Sequence, residues 1–204
     1  MDTDRREEKR SRRTRGARGG TDTPGAIRSA ALRCFAHTGI DGSTTRAIAA
    51  ETGVTEGALY RHYRSKEEIV RAVFEEAAGR LVERLEREVA PAGTFPERIE
   101  AIVRGFWGFA RDDADSFKLL AGDHFTRVSF LPPGTRLPKD VVIEACRTAP
   151  SLACGDPALA AAFVVGITLR SIGFFRLGLV GLSPDRALRE TVRACLRAVG
   201  RKRA

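Results

Sequence analysis

The chain has 204 residues, 35 of them Lys or Arg and 26 Asp or Glu, which gives a net charge of +9 and a pI near 10.1. At 43% apolar and 30% charged it has the means to build a packed core, so wholesale disorder and the fibrous classes are excluded. The cysteines (Cys34, Cys146, Cys154, Cys195) are scattered without a CxxC pair and only three histidines are present, so neither a disulfide framework nor a metal site is indicated, nor is any organic cofactor.

Residues 1–20 hold eight basic side chains against four acidic ones and almost no large apolar residue. Residues 1–22 therefore read as a disordered basic arm, without the apolar stretch of a signal peptide. A polyanion partner suits this charge, because Lys and Arg near phosphates release condensed counterions. A solubilising tail suits it equally. Residues 24–66 carry six more basic groups against three acidic ones, so the basic end of the chain is its beginning.

From Thr23 and Pro24 onward, Ile27, Ala30, Ala31, Cys34 and Phe35 recur on one helical face. Pro24 suits a first turn and Gly39 a stop, which predicts a helix over 24–38. Thr44 or Thr45 caps a short helix ending near Thr52, with Ile48 and Ala49 facing inward. Gly53 and Val54 make a tight turn, and Thr55 caps a second short helix over 56–63. Ser65 with Glu68 has the form of a capping box and opens a long helix over 66–89. Pro96 starts another, with Ile99, Ile102, Val103, Phe106 and Ala110 on one face and Trp107 and Phe109 off it. Further helices are predicted over 116–126, 139–148, 157–179 and from Ser183 and Pro184 to about residue 200. The last carries a seam of Leu188, Thr191, Val192, Cys195, Leu196 and Val199. No strand alternation competes, so the class is all-α. Arg170 and Arg176 interrupt the most apolar stretch, which reads as a helix of a soluble, cytoplasmic protein with no membrane partner.

The short helix pair carries the informative chemistry. Two helices joined by a three- or four-residue turn cross steeply, and the crossing needs a small side chain and a permissive turn residue, which Ala49 and Gly53 supply. The second helix then lies in a DNA major groove, where Glu56, Gly57 and Ala58 permit close approach. Tyr60, His62 and Lys66 offer phosphate donors, and Arg46 reaches guanine in bidentate fashion.

The combination Ile27, Ala31, Phe35, Gly39, then Thr44-Thr45, Ile48-Ala49, Gly53-Val54-Thr55, Gly57, Leu59-Tyr60, His62-Tyr63 and Ser65-Lys66-Glu67 resembles the tetracycline-repressor (TetR) family of bacterial transcriptional regulators, over residues 24–70. The resemblance implies a DNA-binding domain over 23–68 with three helices including the helix-turn-helix. It implies a C-terminal helical domain of about six helices over 69–204 that binds an effector and dimerises. The homodimer would form through the last two helices, at about 157–179 and 184–200, in a bacterial cytoplasm. By position Thr45, Thr55, Tyr60, His62 and Lys66 match places that contact the DNA backbone, and Arg46, Glu56, Gly57 and Ala58 match base-facing ones. Glu56 departs from the pattern, since a carboxylate repels phosphate and accepts only from base amino groups such as cytosine N4. Tyr60 and Tyr63 read alternatively as packing beneath the pair.

In the remainder, large aromatics concentrate. Phe106, Trp107, Phe109, Phe117, Phe125 and Phe174 are candidates to line an effector pocket, with His124 and Thr168 as polar anchors, against the plain alternative of ordinary core. The function expected is a ligand-responsive, sequence-specific DNA-binding regulator, a repressor released from a palindromic double-stranded operator by a small apolar effector. The alternatives are a constitutive nucleic-acid-binding protein without effector, and a helical enzyme. For the enzyme, no nucleophile, base and orienter stand at a recognisable spacing.

Overall fold

The structure, a computed structural model, describes residues 23–127 and 131–200, with the side chains of 123–127 outside the description. The arm over 1–22 lies outside the described residues. Among those described, nine helices and no strand are present. They are α1 (Thr23–Gly42), α2 (Thr45–Thr52), α3 (Glu56–Tyr60), α4 (Lys66–Val89), α5 (Phe95–Asp112), α6 (Ala114–Arg127), α7 (Pro138–Arg147), α8 (Pro157–Arg176) and α9 (Pro184–Val199).

Local chemistry places several of the helix starts. The side chains of Thr44, Thr55, Ser65 and Asp156 each accept a hydrogen bond from a backbone N–H of the first turn they precede, at 3.1, 3.1, 3.3 and 2.7 Å. The box at the head of α4 is displaced by one residue, because the Glu68 carboxylate accepts from the backbone of Arg64 rather than of Ser65. α1 runs past the predicted end at 38, yet its break falls at Gly39, whose φ of 75° and ψ of 164° interrupt two helical stretches. That reversal returns Ile40 to the core. Gly53, at φ 77°, ends α2 in the left-handed region that favours glycine.

α4 is the spine, packing against α1 at its start and against α5, α6 and α7 further along. α8 lies between α7 and α9, α9 also packs on α5, and α1 touches α6. One contiguous apolar core follows this spine from Ile27, Ile48 and Leu59 through Phe74 and Leu85 to Val164 and Cys195.

Where α4 crosses α5 the backbones approach through glycine. A methyl group on Gly105 would stand 2.8 Å from Cδ2 of the buried Leu85, and the Arg84 guanidinium lies over Gly108 to reach Asp112 at 2.9 Å. Hydrogen bonds from Arg111 and then Arg84 hold the Asp112 carboxyl down at about 2. Gly105→Ala overpacks this crossing and is expected to destabilise the fold by about 1–3 kcal/mol in chemical denaturation. A neutral Gly105→Ala would mean that the Leu85 methyl turns aside without cost.

Three features differ from the sequence reading. Phe109, off the predicted stripe of α5, is buried, because α5 is covered by α4 on one side and by α8 and α9 on another. The seam of α9 is used inside the subunit, with Thr191, Val192, Cys195 and Val199 all buried, and the outward face shows Arg186, Arg189, Arg193 and Arg197. α8 is the reverse case. Leu159, Phe163, Phe174 and, just past its end, Leu177 and Leu179 are exposed. Arg170 and Arg176 do not disqualify it as a span: among the described residues, α8 is the helix long and apolar enough to cross a membrane, with a mean hydropathy of 1.9.

Candidate nucleic-acid interface

α2 and α3 pack on each other and on α1 through Ile48, Ala49 and Leu59, all buried. Because a helix side that is buried fixes the side that is not, Arg46, Thr55, Glu56, Gly57, Tyr60 and His62 are exposed, while Thr45, Ala58 and Lys66 are half-buried. All nine of the residues singled out on this unit therefore keep at least part of their surface in solvent. Lys66 points its ammonium back to the Asp41 carbonyl, within 3.5 Å.

α3 ends at Tyr60, shorter than the 56–63 read from the sequence, and residues 61 and 62 form a turn in which the His62 and Tyr63 amides both donate to the Leu59 carbonyl. The early end has a packing cause. Tyr63 turns inward to 7% exposure, accepts from Arg28 Nη1 at 3.2 Å and donates to the Pro24 carbonyl at 3.3 Å. Tyr60, by contrast, stays exposed.

On the outer face one hydroxyl joins the two helices. Thr45 Oγ1 donates to Glu56 Oε1 at 2.7 Å and lies 3.2 Å from the Tyr60 hydroxyl. Sequence spacing gives no sign of this contact, since residues 45 and 56 meet only once the turn at Gly53 brings α3 across α2.

The helix pair is tied to the rest of the chain by charge. Arg28 Nε on α1 pairs with Glu76 of α4 at 2.5 Å, Glu76 takes Arg80 at 2.7 Å, and Arg80 reaches Asp113 at 3.1 Å and donates to Ser116 Oγ of α6 at 2.6 Å. Bonds to Tyr63 first and Glu76 second raise the Arg28 pKa, so the guanidinium stays charged at every working pH.

Next to Ser116, α6 forms one wall of a narrow apolar cleft. Phe106 and Phe117 line it, joined by Phe74, Leu120, Leu137 and Leu169, with Lys139 at the rim. Phe106 and Phe117 are thus placed together as the sequence reading has them, and Phe74, Leu137 and Lys139 are additions it does not contain. Phe74 and Leu81 are legible only as an α4 core stripe; that this stripe meets α6 is a tertiary fact. Phe109 is not among the lining residues. Trp107 meets Phe175 edge-on, with ring centroids 5.2 Å apart, and lines a different groove with Phe174, between α8 and α9. Thr168 is fully buried and lies 3.6 Å from Cys195 Sγ in the seam between α8 and α9, so it is no anchor for this cleft. The side chains of His124 and Phe125 lie outside the described residues.

Against known proteins, residues 27–73 match the family described as bacterial regulatory proteins, tetR family. The chain is 31% identical over 98 residues to the fatty acid metabolism regulator protein of Bacillus subtilis (strain 168), a match covering 48% of this chain and 45% of that one. The chain spans less than half the length of the curated relatives it matches. Among solved structures, a bacterial regulatory protein in the tetR family from Rhodococcus RHA1 superposes with a TM-score of 0.72 at 23% identity, over 90% of this chain and all of that one. AibR, solved in complex with isovaleryl coenzyme A and operator DNA, superposes with a TM-score of 0.69 at 22% identity, over 84% and 96% of the two chains. Residues 27–73 thus carry the helix-turn-helix segment of bacterial regulatory proteins of the tetR family, and the described helices share the fold of the solved structures on which they superpose.

Proposed function

We propose that the chain is a sequence-specific transcriptional regulator that binds a palindromic operator as a homodimer and is released by a small apolar effector. The observation that carries this reading is the single solvent face of α2 and α3, which gathers Arg46, Glu56, Gly57, Tyr60 and His62 over a buried Ile48–Leu59 contact. The division of labour is residues 23–68 for DNA and 69–204 for effector and partner, in the cytoplasm of a bacterium.

The effector site is the cleft behind Phe117. Its walls are carbon almost throughout, which favours an apolar ligand body, and Lys139 at the mouth suits an anionic end that would take the place of its 2.8 Å pair with Asp140. An acyl compound fits both requirements, and AibR is a protein of the same fold solved with an acyl coenzyme A. Filling the cleft displaces α6, whose Ser116 holds Arg80; through Glu76 and Arg28 that movement reaches Tyr63 under the helix pair. A ligand that binds the displaced arrangement better than the DNA-bound one lowers operator affinity by that difference.

The dimer surface is the exposed ridge of α8 with the groove beside it between α8 and α9, where Trp107, Leu182, Ala187 and Ala194 leave a concave apolar strip. Two copies facing each other would cover aromatic surface that a soluble monomer rarely leaves open.

Selection from a random duplex pool tests the reading directly. A specific regulator enriches a two-fold symmetric site bound roughly 10³-fold or more tighter than random DNA, and an acyl coenzyme A series then reduces that affinity. Equal binding to selected and random duplexes would replace it with a sequence-blind nucleic-acid protein. Enrichment without release by any acyl compound would remove the effector class alone.

A further inference from the structure

Resting on that DNA-binding reading, we infer that Thr45 and Tyr60 serve as positioning residues that aim the Glu56 carboxylate at the exocyclic amino group of a cytosine, rather than as donors to the DNA backbone. The direction of the hydrogen bonds decides this. A threonine hydroxyl has one proton and an ionised carboxylate has none. With Thr45 donating to Glu56 at 2.7 Å, the 3.2 Å contact to Tyr60 is made with the tyrosine proton. The chain therefore runs from the Tyr60 hydroxyl to Thr45 Oγ1 to Glu56 Oε1, and both protons are committed within the protein.

Two consequences follow from the committed protons. Thr45 and Tyr60 face outward with lone pairs only, which a phosphate oxygen, itself an acceptor, does not bind. Glu56 is an exposed side chain that would otherwise sample several rotamers. Here one of its oxygens is fixed, and the other takes no protein partner among the described residues. A fixed, outward acceptor at the first position of α3 recognises a base that presents a donor in the major groove. Cytosine N4 and adenine N6 are the two such donors. Adenine sets its N7 acceptor beside N6, where it opposes a carboxylate, whereas cytosine sets a C–H there, so cytosine is the base selected.

The test uses the full chain and its selected operator. In one arm the cytosine of each half-site is replaced by 2-pyrimidinone, which lacks only the 4-amino group, opposite guanine. The wild-type protein is expected to bind this duplex roughly tenfold more weakly than the operator. Glu56→Ala is expected to bind both duplexes equally. Thr45→Val and Tyr60→Phe are expected to shrink the ratio between the two duplexes towards one, while the slope of affinity against salt stays at the wild-type value, because no phosphate contact is lost. Circular dichroism confirms that each variant keeps its helices, which their exposed or half-buried positions allow.

Equal weakening on both duplexes by Thr45→Val and Tyr60→Phe, with a shallower salt slope, would make the two residues backbone donors and overturn the inference. So would a wild-type ratio of one at every cytosine of the operator, or a selected site with no cytosine in it; in either case the regulator reading stands. A pool with no enriched sequence would remove both together.

Discussion

Replacing Phe163 and Phe174 together by arginine is expected to leave the chain folded, monomeric, and roughly 10²–10⁴-fold weaker on its operator. The two rings stand 40% and 55% exposed on the outer ridge of α8, and neither belongs to the buried core. What is lost is the apolar surface through which two copies are proposed to meet, and each arginine adds a charge next to Arg170 of the same face. A two-fold protein reads its second half-site as an intramolecular event; a monomer reads it as an independent one. Sedimentation gives the mass and fluorescence anisotropy the affinity. A double variant that stays dimeric with wild-type affinity would place the partner on another surface, and the arginine face of α9 would be the next to test.

The second large effect belongs to Phe74→Ala, which should destabilise the fold by about 3–5 kcal/mol. Phe74 is 1% exposed on α4 and forms a wall of the cleft between α4 and α6. Its removal deletes a full ring from a close-packed interior and joins the vacated space to a cleft that already exists, so neighbours have little means to close in. For a chain of this size the midpoint of thermal unfolding falls by roughly 10 °C, measured at one fixed protein concentration because association adds to stability. A loss below about 1 kcal/mol would show that the cleft collapses around the gap. The same variant also bears on the effector, since a wider cleft shifts preference towards bulkier apolar ligands.

Several helix starts were legible because they are decided within four residues. Thr44, Thr55, Ser65 and Asp156 accept from the turn that follows them whatever surrounds the helix, and Gly39 and Gly53 take up the backbone angles that interrupt or end one. The tetR-type segment was legible for the same reason, since residues 24–70 are a run of caps, turn glycines and inward apolar positions in fixed order.

What spacing does not hold is which neighbour each face meets. The α9 periodicity shows an apolar seam, but only the packing of α8 and α5 against it makes that seam interior and turns four arginines outward. The α8 sequence is apolar nearly all round and so has no preferred face of its own; the position of α7 and α9 chose which rings stayed in solvent. Phe109 and Thr168 went to the core, and the proton of Thr45 to Glu56, through contacts between residues far apart in the chain. Sequence alone determined the order of the helices, the caps at Thr44, Thr55, Ser65 and Asp156 and the turn between α2 and α3, because hydrogen bonds within one turn specify them. Tertiary structure decided the cleft, the exposed ridge and the link from α6 to Tyr63, because those arise from close packing between surfaces whose pairing no single helix encodes.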